Sequence, residues 1–278
     1  LKLAAMGICG NHDDRYGGFG KAPKFPHAMA LNFLLAMQLN PLCDADLEGK
    51  IDSVLHTSLK AMAHGGLYDQ IGGGFARYCV DDHWVVPHFE KMLYDNALLA
   101  GAYLDAWRST KRPLYKKVTE EVLDYTLREM KHPEGGFFSA EDAELDGVEG
   151  AYYLWTKKEI DALLSKEASD LFSEYFNVTD RGNFKGKNVL HRSYLVEDFC
   201  DFREYSLETV EKSLDNSLKI LRKERSKRKR PFKDDKVLVS WNSLMIDTLV
   251  KAGMALGNQE YLEAGIQAME FILKHHLK

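Results

Sequence analysis

The stretch DQIGGGFARYCVDDHWVVPHFEKMLYDNA, residues 69–97, sets a triple glycine, an Arg-Tyr pair, several carboxylates, two histidines and a tryptophan ahead of an apolar run. Chains that only have to fold rarely place so many polar and aromatic groups beside glycines. Loops on a rigid scaffold do, because they carry such groups to a ligand. The run that follows, Phe89 to Trp107, is apolar on nearly every side and predicts a helix enclosed by others.

The flanking chain alternates two kinds of helix. His27 to Leu39 carries no full charge and predicts another enclosed helix. Ile51 to Ala63 places Ile51, Val54, Leu55, Leu59 and Met62 on one stripe, with Asp52, Ser53, His56 and Lys60 opposite. Leu114 to Met130 is likewise amphipathic; Trp241 to Leu256 is again mostly apolar, and Glu260 to Leu277 again half polar. Glycine pairs before bulky apolar residues (Gly17-Gly18-Phe19, Gly65-Gly66-Leu67, Gly135-Gly136-Phe137) punctuate this series. Such recurrence is what a chain of helical hairpins produces, and it predicts an all-α fold of one domain over residues 1–278. The closed form is an (α/α) toroid and the open form a superhelical solenoid. A small β-hairpin insertion is expected, with FFSAED and AYYLW as strands joined by an acidic turn. Thr156 and Glu159 form a capping box that opens the next helix. Val237 to Val239 reads as a further short strand.

Of the 278 residues, 45% are apolar and 28% charged, as in ordinary globular proteins. A net charge of -5 argues against a nucleic-acid partner, and no apolar run approaches the ~20 residues that cross a bilayer. Cys9, Cys43, Cys79 and Cys200 are scattered without a C-x-x-C pair, which points to reduced thiols and a cytoplasmic protein rather than disulfides or zinc. Leu1 is not an initiator methionine, so the natural chain is expected to extend upstream.

Three polar clusters stand where enclosed helices are expected to begin: Pro26-His27, Pro87-His88-Phe89-Glu90 and Ser240-Trp241-Asn242. If those helices run parallel, the clusters meet at one mouth, where unpaired N–H groups suit polyhydroxylated ligands. His88 and His83 are the candidate acid–base pair, with Glu90 in the first turn of its helix as a third catalytic candidate. Arg77 and Tyr78 are candidates for binding substrate, Arg77 having the alternative of buttressing the loop through Asp69 or Asp82. Trp84, Trp155 and Trp241 offer flat walls, and Asp69, Asp142, Asp235 and Asn242 polar contacts. Strand alternation sends only one of Glu141 and Asp142 toward the cleft. Lys91 and Asp95, four apart, read as a helical pair, and the run RKERSKRKR at 222–230 as a solvated helix end. The triple glycine matches neither G-x-G-x-x-G nor a P-loop, and no metal-ligand spacing is present, so no cofactor and no metal are expected.

The segments GGFGKAPKFP, residues 69–97, FFSAEDAELDGVEGAYYLW and RPFKDDKVLVSWNSLM together resemble a known family. They are similar to the region that follows the thioredoxin-like domain in the spermatogenesis-associated, thioredoxin-domain-containing proteins. That region in turn resembles the six-hairpin glycosidase and N-acylglucosamine 2-epimerase superfamily. The resemblance implies an α/α toroid, a carbohydrate or sugar derivative as small-molecule partner, and a thioredoxin-like domain elsewhere in the full-length chain. It implies epimerase- or isomerase-like chemistry, with glycoside hydrolysis by paired carboxylates or a non-catalytic binding scaffold as alternatives. The sequence offers fewer long helices than a closed ring of six hairpins requires, so an incomplete or open toroid is expected.

Overall fold

The computed structural model describes residues 1–276; Leu277, which ends the last amphipathic segment, lies outside the described residues. In chain order the helices are α1 (Lys2–Gly10), α2 (Ala28–Gln38), α3 (Ala45–His64), α4 (Leu93–Thr110), α5 (Pro113–Tyr125), α6 (Lys157–Leu163), α7 (Lys166–Tyr175), α8 (Val196–Arg203), α9 (Leu207–Arg225), α10 (Val239–Leu256) and α11 (Gln259–His276). The strands are two-residue pieces: β1 (Tyr78–Cys79), β2 (Pro87–His88), β3 (Lys91–Met92), β4 (Ala140–Glu141), β5 (Glu144–Leu145), β6 (Val148–Glu149) and β7 (Lys233–Asp234).

Apart from α9, the long helices form three hairpins. α2, α4 and α10 lie side by side as an inner layer, and α3, α5 and α11 back them as an outer layer. The outer helices carry the apolar stripe that the sequence predicts: Ile51, Val54, Leu55, Leu59 and Met62 are buried on α3. Each such side chain contributes about 1.5–3 kcal/mol when fully removed from water. This is the all-α, toroid-type arrangement, present as an arc. On the inner helices one apolar face is left open. Met29 and Met254 are exposed, and a trough of about 870 Å³ runs between Met29, Leu98, Gly101, Leu244 and Thr248. No described helix is long and apolar enough to cross a membrane.

Two inner helices hold their preceding loops by the same device. Asn96 of α4 accepts from Phe75 N (2.7 Å), donates to Phe75 O (3.1 Å) and to Met92 O one turn back. Asn242 of α10 does the same to Phe137 (2.8 and 3.0 Å) and to Leu238 O. Both amides are fully buried and fully used, so they fix each Gly-Phe segment to the start of its helix. The triple glycine has a packing reason as well. At Gly74 (φ 80°) a Cβ would stand 2.5 Å from the Tyr125 ring, and at Gly73 (φ 75°) 2.3 Å from Glu121 O, so only glycine lets α5 come this close.

Three expectations need correction. α4 begins at Leu93 rather than Phe89, because residues 87–92 are extended: Arg77 N donates to Glu90 O, and Lys91 pairs in register with Glu141. The β-hairpin lies inside the acidic turn. Glu144-Leu145 pairs with Val148-Glu149 around Asp146-Gly147, both at positive φ, the I′-type signal of an Asp-Gly dipeptide. In AYYLW only Ala151 to Tyr153 form a turn and Trp155 makes a single antiparallel bridge to Asn188; β7 falls at Lys233–Asp234, while Val239 already belongs to α10. The sequence also gave no hint that α6–α9 build a second core, around Phe172, Tyr175, Phe176, Phe199, Leu214 and Leu221. The capping box is present as expected, Thr156 and Glu159 satisfying each other's backbone N–H.

Candidate functional site

β3, β4 and β7 form one small antiparallel sheet, with Lys91, Glu141 and Lys233 in one register row and Met92, Ala140 and Asp234 in the next. Alternate side chains therefore face opposite ways. One face is closed. The Glu141 side chain is 0% exposed, accepting from Arg230 Nη2 (2.7 Å) and from the Tyr125 hydroxyl (2.6 Å). Beside it Lys91 donates to Asp69 (3.0 Å) and to Gly73 O (2.9 Å) and sits over the Tyr125 ring. Arg225 grips the same Asp69 carboxylate with both terminal nitrogens, at 2.8 and 2.9 Å. Burial alone would raise the Asp69 carboxyl; Arg225 and Lys91 outweigh it and hold it far below the usual carboxylate range.

The other face is open. It floors a cavity of about 620 Å³ bounded by Glu90, Asp142, Asp234, Asp235, Lys236, Phe232 and Trp241. Trp241, in the first turn of α10, lies 4.8 Å (ring centroids) from Tyr94 in the first turn of α4, so these inner helices do begin at one mouth. From there polar groups continue without a break. The Tyr94 hydroxyl interacts with Arg77, and Arg77 Nη1 donates to Glu90 (3.1 Å). Glu90 stands 4.0 Å from His88 Nε2, and His88 Nδ1 lies 2.9 Å from Glu149. The His88 ring stacks on Tyr78 (5.0 Å), which stacks on Phe25 (4.7 Å) from the loop before α2. Behind Tyr94, Asp95 keeps one carboxylate oxygen buried and unpartnered, and burial pushes this group up to about 7 against the opposing pull of Arg77.

Of the sequence candidates, Arg77, Tyr78, His88, Glu90, Asp142, Asp235 and Trp241 are brought to this mouth. The others are not. His83 sits exposed at the tip of the β1–β2 loop, against Tyr16 and Asp82, with partners different from those of His88. Trp84 is 1% exposed and donates its indole N–H to Tyr16 O (3.0 Å); it anchors the N-terminal loop and is closed to any ligand. Trp155 is equally buried, under the Arg228 guanidinium 3.9 Å away. Asp69 belongs to the closed face, and Asn242 is consumed by Phe137. Arg77 pairs with Glu90 rather than with Asp69 or Asp82, and Lys91 with Asp69 rather than Asp95. The basic run is only half solvated: Lys223, Lys227 and Lys229 are exposed, while Arg225, Arg228 and Arg230 insert into the fold. Sequence reasoning missed Phe25, Tyr94, Asp95 and Glu149 as site residues. It also expected strand alternation to send only one of Asp234 and Asp235 to the cleft, whereas both line the cavity because the strand ends at Asp234. Tyr94 and Asp95 were visible inside the decisive stretch itself, as polar residues at the head of an apolar helix. No cluster of His, Cys, Asp and Glu with metal-holding geometry occurs among the described residues.

No family model matches the chain. Human spermatogenesis-associated protein 20 is 36% identical over 289 residues, covering 95% of this chain and 37% of its own length. The uncharacterized protein B0495.5 of Caenorhabditis elegans is 37% identical, covering 94% and 39%. The chain thus spans under two fifths of the relatives it matches. Among solved structures, a sugar epimerase from a ruminal bacterium aligns with 97% of this chain and 83% of its own, at 13% identity and a TM-score of 0.43. Over nearly its whole length, then, this chain is a homologous region of the spermatogenesis-associated, thioredoxin-domain-containing family and belongs to it.

Proposed function

We propose that the mouth binds a carbohydrate and moves a proton at one of its carbons, in an epimerase- or isomerase-like reaction. One observation carries this reading: Glu149 engages His88 Nδ1, so the other ring nitrogen is turned toward Glu90 at the edge of an open, aromatic-walled cavity. A carboxylate on one imidazole nitrogen sets the tautomer and leaves the other free to accept a proton. With His83 remote, the second proton-handling group is Glu90. Arg77 orients Glu90, and Trp241 offers a flat face for the apolar side of a sugar ring. Glycoside hydrolysis is the second reading, favoured by Glu90, Asp142 and Asp235 lining a single cavity.

The test is a sugar library screened by thermal shift on the full-length protein, with each hit followed by NMR in D2O. Loss of a carbon-bound proton signal, abolished by His88→Gln and by Glu90→Gln, is the expected result. Cleavage that depends on two carboxylates and tolerates His88→Gln would replace this reading with hydrolysis. Binding with neither exchange nor cleavage would make the domain a scaffold for its thioredoxin-like neighbour.

A further inference from the structure

The charge around the cavity is one-sided. Its lining holds four carboxylates, those of Glu90, Asp142, Asp234 and Asp235, against one ammonium, Lys236. Lys236 is already taken by Asp234 (2.9 Å), and the guanidinium nearest the cavity, Arg77, by Glu90 (3.1 Å). Asp142 accepts only a backbone N–H, that of Glu144, and neither Asp142 nor Asp235 makes an ion pair among the described residues. The arginines that could have balanced them, Arg225 and Arg230, point to the opposite face of the sheet. A site built for a phosphate or a uronate would place an uncommitted guanidinium or a row of backbone N–H groups where the anion binds. Here an anion would meet like charge, and because Asp142 and Asp235 are exposed that repulsion is open to screening by salt.

We infer that the site selects its ligand by charge: it takes an uncharged sugar and turns away phosphorylated and uronic sugars. This rests on the carbohydrate reading above. The uncommitted carboxylates Asp142 and Asp235 are the residues that set the discrimination. They accept from sugar hydroxyls, which every one of these sugars carries, and repel the extra charge of a carboxylate or phosphate placed beside them.

The experiment is saturation-transfer NMR on the full-length protein with four probes sharing one ring: glucosamine, glucose, glucuronate and glucose 6-phosphate. Glucuronate and glucose 6-phosphate are expected to bind about tenfold more weakly than glucose or worse, the cost of like charges across an interface. Glucosamine should bind at least as well as glucose. Raising the salt concentration should shrink the gap, and so should the combined Asp142→Asn and Asp235→Asn changes, with an unaltered melting temperature as the folding control. Anionic probes binding as well as glucose would overturn the charge inference while leaving the carbohydrate reading intact. A gap that persists in the double variant would overturn the roles given to Asp142 and Asp235. Binding by none of the four would remove the carbohydrate reading, and this inference with it.

Discussion

The two faces of the β3–β4–β7 sheet make an instructive pair. Glu141 and Asp142 are neighbours in sequence, yet one is sealed against Arg230 and Tyr125 and the other opens on the cavity. The closed face shows what a carboxylate needs in order to be buried: a guanidinium or ammonium and enough donors to saturate it. On the open face Glu90 and Asp234 have one cation each and Asp142 and Asp235 make no ion pair, so these charges stay where water or a ligand can reach them. Structural acids and candidate functional acids are separated by one step of the pleat.

The largest effect should come from breaking the closed face. Arg225→Ala leaves Asp69 and Lys91 in a site built for three charges, and should lower stability by about 3–5 kcal/mol in urea unfolding. Gly74→Ala follows: a Cβ at φ 80° and 2.5 Å from the Tyr125 ring must displace α5, costing on the order of 2–3 kcal/mol by the same measurement. The neighbouring pair gives the sharpest contrast. Glu141→Gln should cost about 1.5–3 kcal/mol as its charge-assisted bonds are lost, whereas Asp142→Asn should stay within about 0.5 kcal/mol. Equal losses in the two variants would erase the distinction between the faces.

A separate test is a pH slope. Asp95 sits at about 7 in the folded protein against an ordinary value of 3.8, so between those limits the native state holds more of its proton than the unfolded chain does. Stability from this group is therefore full below about pH 4, declines as pH rises, and levels off above about pH 7. Asp95→Asn should flatten that stretch of a melting-temperature profile.

Much of this was legible beforehand. Helical periodicity marked α3, α5 and α11 as outer and α2, α4 and α10 as inner, because burial on one or several sides writes itself into side-chain chemistry. Pleat alternation separates Glu141 from Asp142 but not Asp234 from Asp235, which both line the cavity where the strand has ended. What escaped was long-range partnership. Nothing local distinguishes Arg225 from Lys223, since only the folded chain decides which of the two meets Asp69. Trp84 and Trp155 look like ligand walls in sequence because an indole is equally suited to a core. The Asp-Gly at 146–147 was a readable turn signal, outweighed by the more conspicuous aromatic run after it. The helices α6–α9 lacked an obvious place in a hairpin repeat, and so their separate core went unforeseen.

The grip of Arg225 on Asp69 spans 156 residues of chain. Closing so wide a loop is entropically slow, so the contact between Asp69 and Arg225 waits on α9. On the ribosome, Asn96 and Lys91 can hold the glycine segment as soon as α4 has emerged, whereas Asp69 still lacks its guanidinium. The Asp69–Lys91 pair is therefore made before the third charge that completes it, and gains Arg225 only once α9 has been synthesised.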